Sequence, residues 1–350
     1  MRTALTNLGA SCDQHTPDLL PALPGRRGPA RRRDPRPDRR ERGMTGTDGS
    51  RTVVVLGATG QQGGAVAAAL RADGWSVRAV VRNPSGRRAR SLAADGVDIV
   101  PGDLREPESL GAAFSGAHGV FSVQPNSGQA GAEVTDEDEV RFGTTVADLA
   151  ERLGVAHLVQ SSAVTAGATT GVGHLDTKNR VEAHVRKLDT AVTILRPATF
   201  MELLVTPETG LDQGRLSFLM RPEQPMQFIA VRDIGRIAAT VFGAPGRYAG
   251  RTLEIAGDAL TGEALAEHLT RAAGRPIDYR RLPVTPRAGG EVLDRLMALV
   301  DEGRLAGNAD LDALRAEFPF LLGFDRWLAG PGAGLLDEAL RAPQEGDASR

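Results

Sequence analysis

The sequence predicts an α/β chain: a doubly wound parallel sheet of the Rossmann kind, followed by a smaller C-terminal α+β region on the substrate side. Three observations carry that prediction. From Thr52 onward, short aliphatic runs alternate with stretches of helical periodicity, as a parallel sheet wrapped by helices requires. The first of these runs passes directly into a glycine-rich turn and then into an alanine-rich helix. After Leu195 the regular alternation stops, and the rest of the chain is mixed in character.

In chain order, residues 1–50 are expected to be an Arg/Pro-rich tail without stable structure. Residues 24–43 consist of Arg, Pro, Gly, Asp and Glu with Ala30 the sole exception, so they offer nothing to bury. The tail is either a basic arm for an anionic partner or a leader ahead of the true start, and Met44, shortly before the first strand, favours the second. Six strands are expected at residues 52–56, 76–81, 98–100, 119–123, 157–160 and 192–195. Between the fourth and fifth, Thr135-Asp136-Glu137-Asp138-Glu139 places a capping hydroxyl and several acids at a helix N-terminus, where they favour the dipole. Val140, Gly143, Ala147, Ala150 and Leu153 then mark a narrow buried face. The Rossmann core is expected over residues 51–197 and the smaller region over 198–330. In the latter, residues 252–255 form a short strand, Thr261 caps a helix running to about Arg271, and residues 289–303 are amphipathic. Residues 331–350 are expected to be a flexible end.

Composition removes whole classes of function. An apolar fraction of 41% and a charged fraction of 25% are those of a soluble globular protein, and no apolar run approaches the length of a membrane span. The first residues are too often interrupted by polar ones to form a signal peptide, so a cytoplasmic location is expected. Cys12, in the tail, is the only cysteine, which leaves the folded body no internal disulfide, thiolate metal site or cysteine nucleophile. The six histidines show no metal-ligand spacing, and no metal is expected. Residues 1–43 hold ten arginines against five acids, so in a chain of net charge −2 the body is distinctly acidic and a nucleic-acid groove on it is not expected.

The chemistry begins at Val53-Val54-Val55-Leu56, which runs into Gly57-Ala58-Thr59-Gly60-Gln61-Gln62-Gly63. Glycines there permit a tight turn and close backbone approach, and the helix beyond presents free N–H groups to a pyrophosphate. Gly57, Thr59, Gly60, Gln61, Gln62 and Gly63 are therefore the expected cofactor cradle. The second strand ends in Val80-Val81-Arg82-Asn83, without the acid that would receive the ribose hydroxyls of NAD. Arg82 would pair with a 2′-phosphate, with Arg87 and Arg88 in reserve, and NADP(H) is the expected cofactor; the plainer alternative is a solvated arginine at a strand end. Asp103, after the third strand, either accepts from the adenine amino group or caps the helical segment 107–113.

Taken together, the glycine turn, Val80-Val81-Arg82-Asn83-Pro84, Gly102-Asp103, Gly119-Val120-Phe121-Ser122-Val123, Gln160-Ser161-Ser162-Ala163, Leu195-Arg196-Pro197 and Val231-Arg232-Asp233-Ile234-Gly235 resemble the NmrA-like family, an atypical branch of the short-chain dehydrogenases. The likeness covers about residues 52–330. Ordinary members of that superfamily reduce carbonyls with a Tyr-x-x-x-Lys pair, whose lysine lowers the tyrosine pKa. Here neither Tyr248 nor Tyr279 has a lysine four residues on, and His174-Leu175-Asp176-Thr177-Lys178 stands where the pair is expected. This His-x-x-x-Lys arrangement resembles the branch regarded as NADPH sensors. The resemblance implies that Lys178 holds the nicotinamide ribose. His174 is either a general acid with a pKa near working pH or a surface histidine beside a helix start. Ser161 and Ser162 end the fifth strand, at the place of the superfamily's catalytic serine or as ordinary backbone partners.

Two functions follow. The first is an NADP(H)-binding sensor that reports redox state to a protein partner. The alternative is an NADPH-dependent reductase of a quinone or similar small acceptor, because reduced quinones are stable anions that water can protonate. A factor reading DNA directly fits poorly, since the body is acidic and has no helix-turn-helix pattern.

Overall fold

The computed structural model describes residues 51–129, 133–165, 167–283 and 290–341. The tail and Met44 expectations, the start of the 289–303 segment and the last nine residues lie outside them. The first half runs β1 (Thr52–Val55), α1 (Gln61–Ala72), β2 (Ser76–Val81), α2 (Arg87–Ala94), β3 (Asp98–Pro101), a 3-10 turn at Pro107–Leu110, α3 (Gly111–Phe114), β4 (Gly119–Ser122), α4 (Asp136–Arg152), β5 (His157–Ser161), α5 (Gly173–Val185) and β6 (Ala191–Pro197). The second half contains β7 (Thr199–Phe200), β8 (Arg215–Phe218), β9 (Met226–Ile229), α6 (Val231–Gly243), α7 (Pro245–Tyr248), β10 (Thr252–Ile255) and β11 (Asp258–Leu260). It closes with α8 (Gly262–Ala273), β12 (Asp278–Arg281), α9 (Gly290–Asp301), α10 (Leu311–Glu317), α11 (Phe324–Leu328) and α12 (Ala333–Ala339).

The main sheet has seven strands in the order β10-β6-β5-β4-β1-β2-β3, and every pairing in it is parallel. The strands are aliphatic because helices cover both faces: Val53, Val55 and Phe121 pack with α1 and α6, while Val54, Leu56 and Val120 pack with α3 and α4. Strand order reverses between β1 and β4, which opens a crevice at their carboxyl ends.

Two boundaries differ from the sequence-based expectation. The sheet does not end near residue 197: the chain leaves after β6, builds a lobe, and returns through α6 to lay β10 beside β6, with Leu253 opposite Leu195. Periodicity detects such a strand but not its neighbour. Residues 333–339, expected in a flexible end, form α12, whose Leu336 is buried in the second hydrophobic cluster with Trp327 and Met201.

The helix after Thr135 has its capping box, with Asp138 N–H donating to Thr135 Oγ1 at 3.1 Å and Thr135 N–H donating to Asp138 Oδ2 at 3.1 Å. Its buried face, however, is Glu139, Phe142, Gly143, Val146, Ala147, Leu149 and Ala150. Val140 is only partly covered, and Leu153 is 40% exposed. The face thus begins on an acid rather than an aliphatic residue.

The lobe holds a three-stranded sheet, β11-β9-β7, and a β12-β8 pair, packed with α8, α9, α11 and α12 around Leu216, Phe228, Leu265 and Trp327. Among the described residues no helix is long and apolar enough to cross a membrane.

Candidate active site

The chain turns sharply after β1. Gly57 sits at φ +63°, a left-handed backbone that favours glycine, and its carbonyl accepts from Gly60 N–H at 2.8 Å. At Gly63 the reason is space: a Cβ there would lie 2.3 Å from the Gly57 carbonyl oxygen. Helix α1 then starts with Gly60 as its N-cap, with no side-chain cap and no acid in its first turn. Its free N–H groups and positive end face the crevice, which suits a pyrophosphate.

The crevice is a cleft of about 580 Å³, and it brings together Gly57, Thr59, Gly60, Gln61, Gln62, Gly63, Arg82 and Asp103. Arg82, Arg87, Arg88, Asn83 and Gly86 line a depression of about 310 Å³ that shares Thr59, Val81, Arg82 and Arg88 with the cleft. Arg88 is tied to the turn, donating from Nη1 to the Thr59 carbonyl at 2.8 Å, while Arg82 and Arg87 are exposed. The Asp103 carboxylate accepts from Arg105 N–H at 2.9 Å, and the N-cap of the 107–110 turn is Glu106, so Asp103 is not the cap of that segment.

Ser161, His174 and Lys178 meet elsewhere, in a second cavity of about 90 Å³. The two spaces share Gln62, Val123, Gln124, Gln129 and Phe200 as wall. Amides order this wall: Ser161 Oγ donates to Gln62 Oε1 at 2.7 Å, Gln160 Nε2 to Gln124 Oε1 at 3.0 Å, and Gln124 Nε2 to Ser122 Oγ at 2.7 Å. The apolar side is Val164, Pro197, Phe200, Leu203 and Leu305, the last two brought in by the lobe.

His174 matches neither reading made from the sequence. It is buried, 7% exposed, so it is not a surface residue. Desolvation, with the neighbouring Lys178 charge second, pushes its pKa down to about 4, so at neutral pH it is an uncharged imidazole and not an acid poised near working pH. Its Nε2 is buried without a hydrogen-bond partner among the described residues. Lys178 Nζ is ion-paired with Glu139, whose carboxylate also accepts from Thr177 Oγ1 at 2.7 Å. Burial pushes the Glu139 carboxyl above its ordinary value, against the pull of Lys178.

Behind Ser162 lies a second buried carboxylate. Ser162 Oγ donates to Glu182 Oε1 at 2.5 Å, and the Arg196 fork holds both Glu182 oxygens at 2.9 and 2.8 Å. Burial alone would raise the Glu182 pKa, but the Arg196 bonds, Ser162 and Arg186 keep it below its ordinary value. Sequence reasoning missed Glu139, Glu182 and the lobe residues Leu203 and Leu305. For Glu139 a signal existed, since Glu139, Phe142, Gly143 and Val146 stand at helical spacing.

Residues 49–295 match the description of the NmrA-like family. The chain belongs to that family. Among its relatives, an NmrA-like family domain-containing oxidoreductase of Aspergillus campestris is 30% identical over 265 residues, covering 68% of this chain and 78% of that protein. An NAD(P)H azoreductase of Xenophilus azovorans is 28% identical over 270 residues, covering 74% of this chain and 90% of that protein. The solved structure of NmrA, a negative transcriptional regulator in complex with NADP, superposes with a TM-score of 0.68 at 20% identity, over 83% of this chain and 97% of that one. This last likeness is one of fold.

Proposed function

We propose that this NmrA-like protein binds NADP(H) in the large cleft and reduces a small aromatic acceptor of the quinone class in the adjoining cavity. The observation that carries the reading is the wall of Gln62, Val123, Gln124, Gln129 and Phe200 common to the two spaces. A dinucleotide with its pyrophosphate on the α1 N-terminus and its 2′-phosphate toward Arg82 and Arg87 would bring its nicotinamide to that wall. Asp103 would face the adenine and Lys178 the nicotinamide ribose. When bound, the reduced nicotinamide supplies a hydride.

The chain's own residues then position and exclude. Phe200, Leu203 and Leu305 offer an apolar bed for a flat acceptor and keep water from it, while Ser161 and the glutamine amides orient polar edges. Among the described residues of the cavity no strong acid is provided: His174 is neutral and the Lys178 ammonium is engaged by Glu139. That set suits an acceptor whose reduced form is a stable anion, protonated afterwards from water, and suits a simple ketone poorly.

The same lack of an acid supports a second reading, in which the protein senses the NADPH/NADP⁺ ratio and passes it to a protein partner without turnover. One experiment separates the two. Purified protein is titrated with NADPH, then mixed with NADPH and a panel of quinones, azo dyes and aldehydes. The reductase reading expects nicotinamide oxidation with quinones and little with aldehydes. Tight NADPH binding with no oxidation by any acceptor supports the sensor, and no binding of NADPH removes both.

A further inference from the structure

Glu139 is one of two acids near the site that are only 1% exposed, and nothing in the cofactor reading assigns it a role. It lies at the end of the first turn of α4 and faces α5. The two helices approach closely at Gly143, where a Cβ would lie 2.8 Å from Val181 Cγ2. Both Glu139 oxygens are used, Oε1 by Lys178 Nζ and Oε2 by Thr177 Oγ1.

The other charged groups facing this pair are committed elsewhere. Asp136, earlier on α4, accepts from Ser127 Oγ at 2.5 Å. Asp176 on α5 accepts from Thr170 Oγ1 and N–H, both at 2.7 Å, and from Gly171 N–H at 3.0 Å. Glu137 and Asp138 face outward, paired with Arg180 and Arg141. His174 is neutral, and α3 and β4, which also pack on α4, carry no charged residue. Lys178 is itself only 15% exposed and borders the smaller cavity.

A buried ion pair contributes little to stability compared with apolar side chains of the same shape, so stability alone is a weak reason for one here. The geometry points to another: we infer that Glu139 is a positioning residue for Lys178, fixing the ammonium of a long flexible side chain at the cavity edge where the nicotinamide ribose would meet it. This rests on the assignment of Lys178 to the cofactor made above. Lacking Glu139, the ammonium has no buried counter-charge to hold it there, and the stem is free to swing toward water.

The test is a double-mutant cycle of Glu139→Gln and Lys178→Met on the full chain, with Glu139→Asp as a fourth variant. Each is measured for NADPH affinity by titration and for Tm. Lys178→Met should weaken NADPH roughly tenfold by removing a charge-assisted contact. Glu139→Gln should weaken it to a similar degree although the lysine remains, and the double variant should bind no worse than Lys178→Met alone. Tm should behave oppositely, falling in each single variant and recovering in the double, where no buried charge is left unpaired. A merely structural Glu139 predicts instead that Glu139→Gln, well below its lowered Tm, binds NADPH like the parent.

If Glu139→Gln does not fold, Glu139→Asp decides, because it keeps the charge but withdraws it by one carbon. Weaker NADPH binding at near-parental Tm supports the inference, and parental binding overturns it. Glu139→Gln binding NADPH like the parent, while Lys178→Met does not, overturns the inference and leaves the role of Lys178 standing. Parental binding by Lys178→Met removes Lys178 from the cofactor site, and the inference with it, while NADPH binding itself is unaffected.

Discussion

At the glycine turn, backbone geometry makes the site and the charged side chains around it, Arg82 and Arg87, stand exposed; at the His174–Lys178 end, His174 is buried and neutral and Lys178 is held by Glu139. The first end is built to receive a large, charged, solvated ligand, which must find free N–H groups and cations on arrival. The second already has its charges balanced, and what it offers an incoming molecule is mainly shape: Phe200, Leu203 and Leu305, with Ser161 and glutamine amides on the opposite wall. The contrast teaches that one sequence motif can mark a site in two ways, by what it leaves open and by what it closes.

The largest effect is expected at the turn. Gly60→Val places a branched side chain in the path of the pyrophosphate while its Cβ meets only the Gly57 carbonyl oxygen at 3.3 Å, so NADPH affinity should fall by about 100-fold or more with the fold kept, as titration and circular dichroism would show. Gly63→Val should lose Tm as well, because its Cβ would meet that oxygen at 2.3 Å. Parental binding by folded Gly60→Val would place the cofactor elsewhere.

Next comes acid sensitivity at the closed end. His174 and, at the opposite edge of the sheet, His157 are both pushed from the ordinary 6.5 to about 4, chiefly by desolvation. The unfolded chain therefore takes up protons first as pH falls below 6.5, while the native protein resists until about 4. The contribution of the two histidines should be full above pH 6.5 and be lost between 6.5 and 4, by on the order of 3 kcal/mol for each, offset in part by Glu202, whose buried carboxyl, pushed up from 4.5 to about 7, gains stability as pH falls through that range. Denaturant midpoints across that range would check it, and His174→Gln should roughly halve that loss. Identical profiles for the parent and His174→Gln would mean that His174 is not buried neutral.

A smaller change is expected at the open end. Arg82→Ala should reduce the preference for NADPH over NADH by about tenfold, the value of one exposed charge-assisted phosphate contact, with Arg87 and Arg88 retaining the rest. Equal affinity of the parent for the two nucleotides would show that the arginines serve another ligand. Least of all, His174→Gln should change turnover by less than about twofold between pH 6 and 8, since a group already neutral there has no proton to give.

The open end was the more legible in sequence. A strand, a glycine turn and a helix are local, and local spacing specified the residues from Gly57 to Gly63 that line the cleft. The closed end was half legible. The place of His174 and Lys178 followed from their order in the chain, but their states did not, because these depend on α4 packing on α5 and on the lobe that closes over them. By sequence Glu139 is one of several acids favouring a helix dipole, whereas burial makes it the partner of Lys178. The same limit explains β10: its strand character was local, and its place beside β6 was not.

In the proposed function the open cleft and the closed cavity work as one site, across which a hydride passes to an acceptor without a strong protein acid. The most direct measurement is quinone reduction with NADPH deuterated stereospecifically at C4 of the nicotinamide. Oxidation should slow for one of the two stereoisomers and not the other, because in the proposed placement one face of the ring would meet the cavity wall, and His174→Gln should leave that pattern unchanged. Tight NADPH binding without oxidation by any quinone, or equal rates for both stereoisomers, would contradict it.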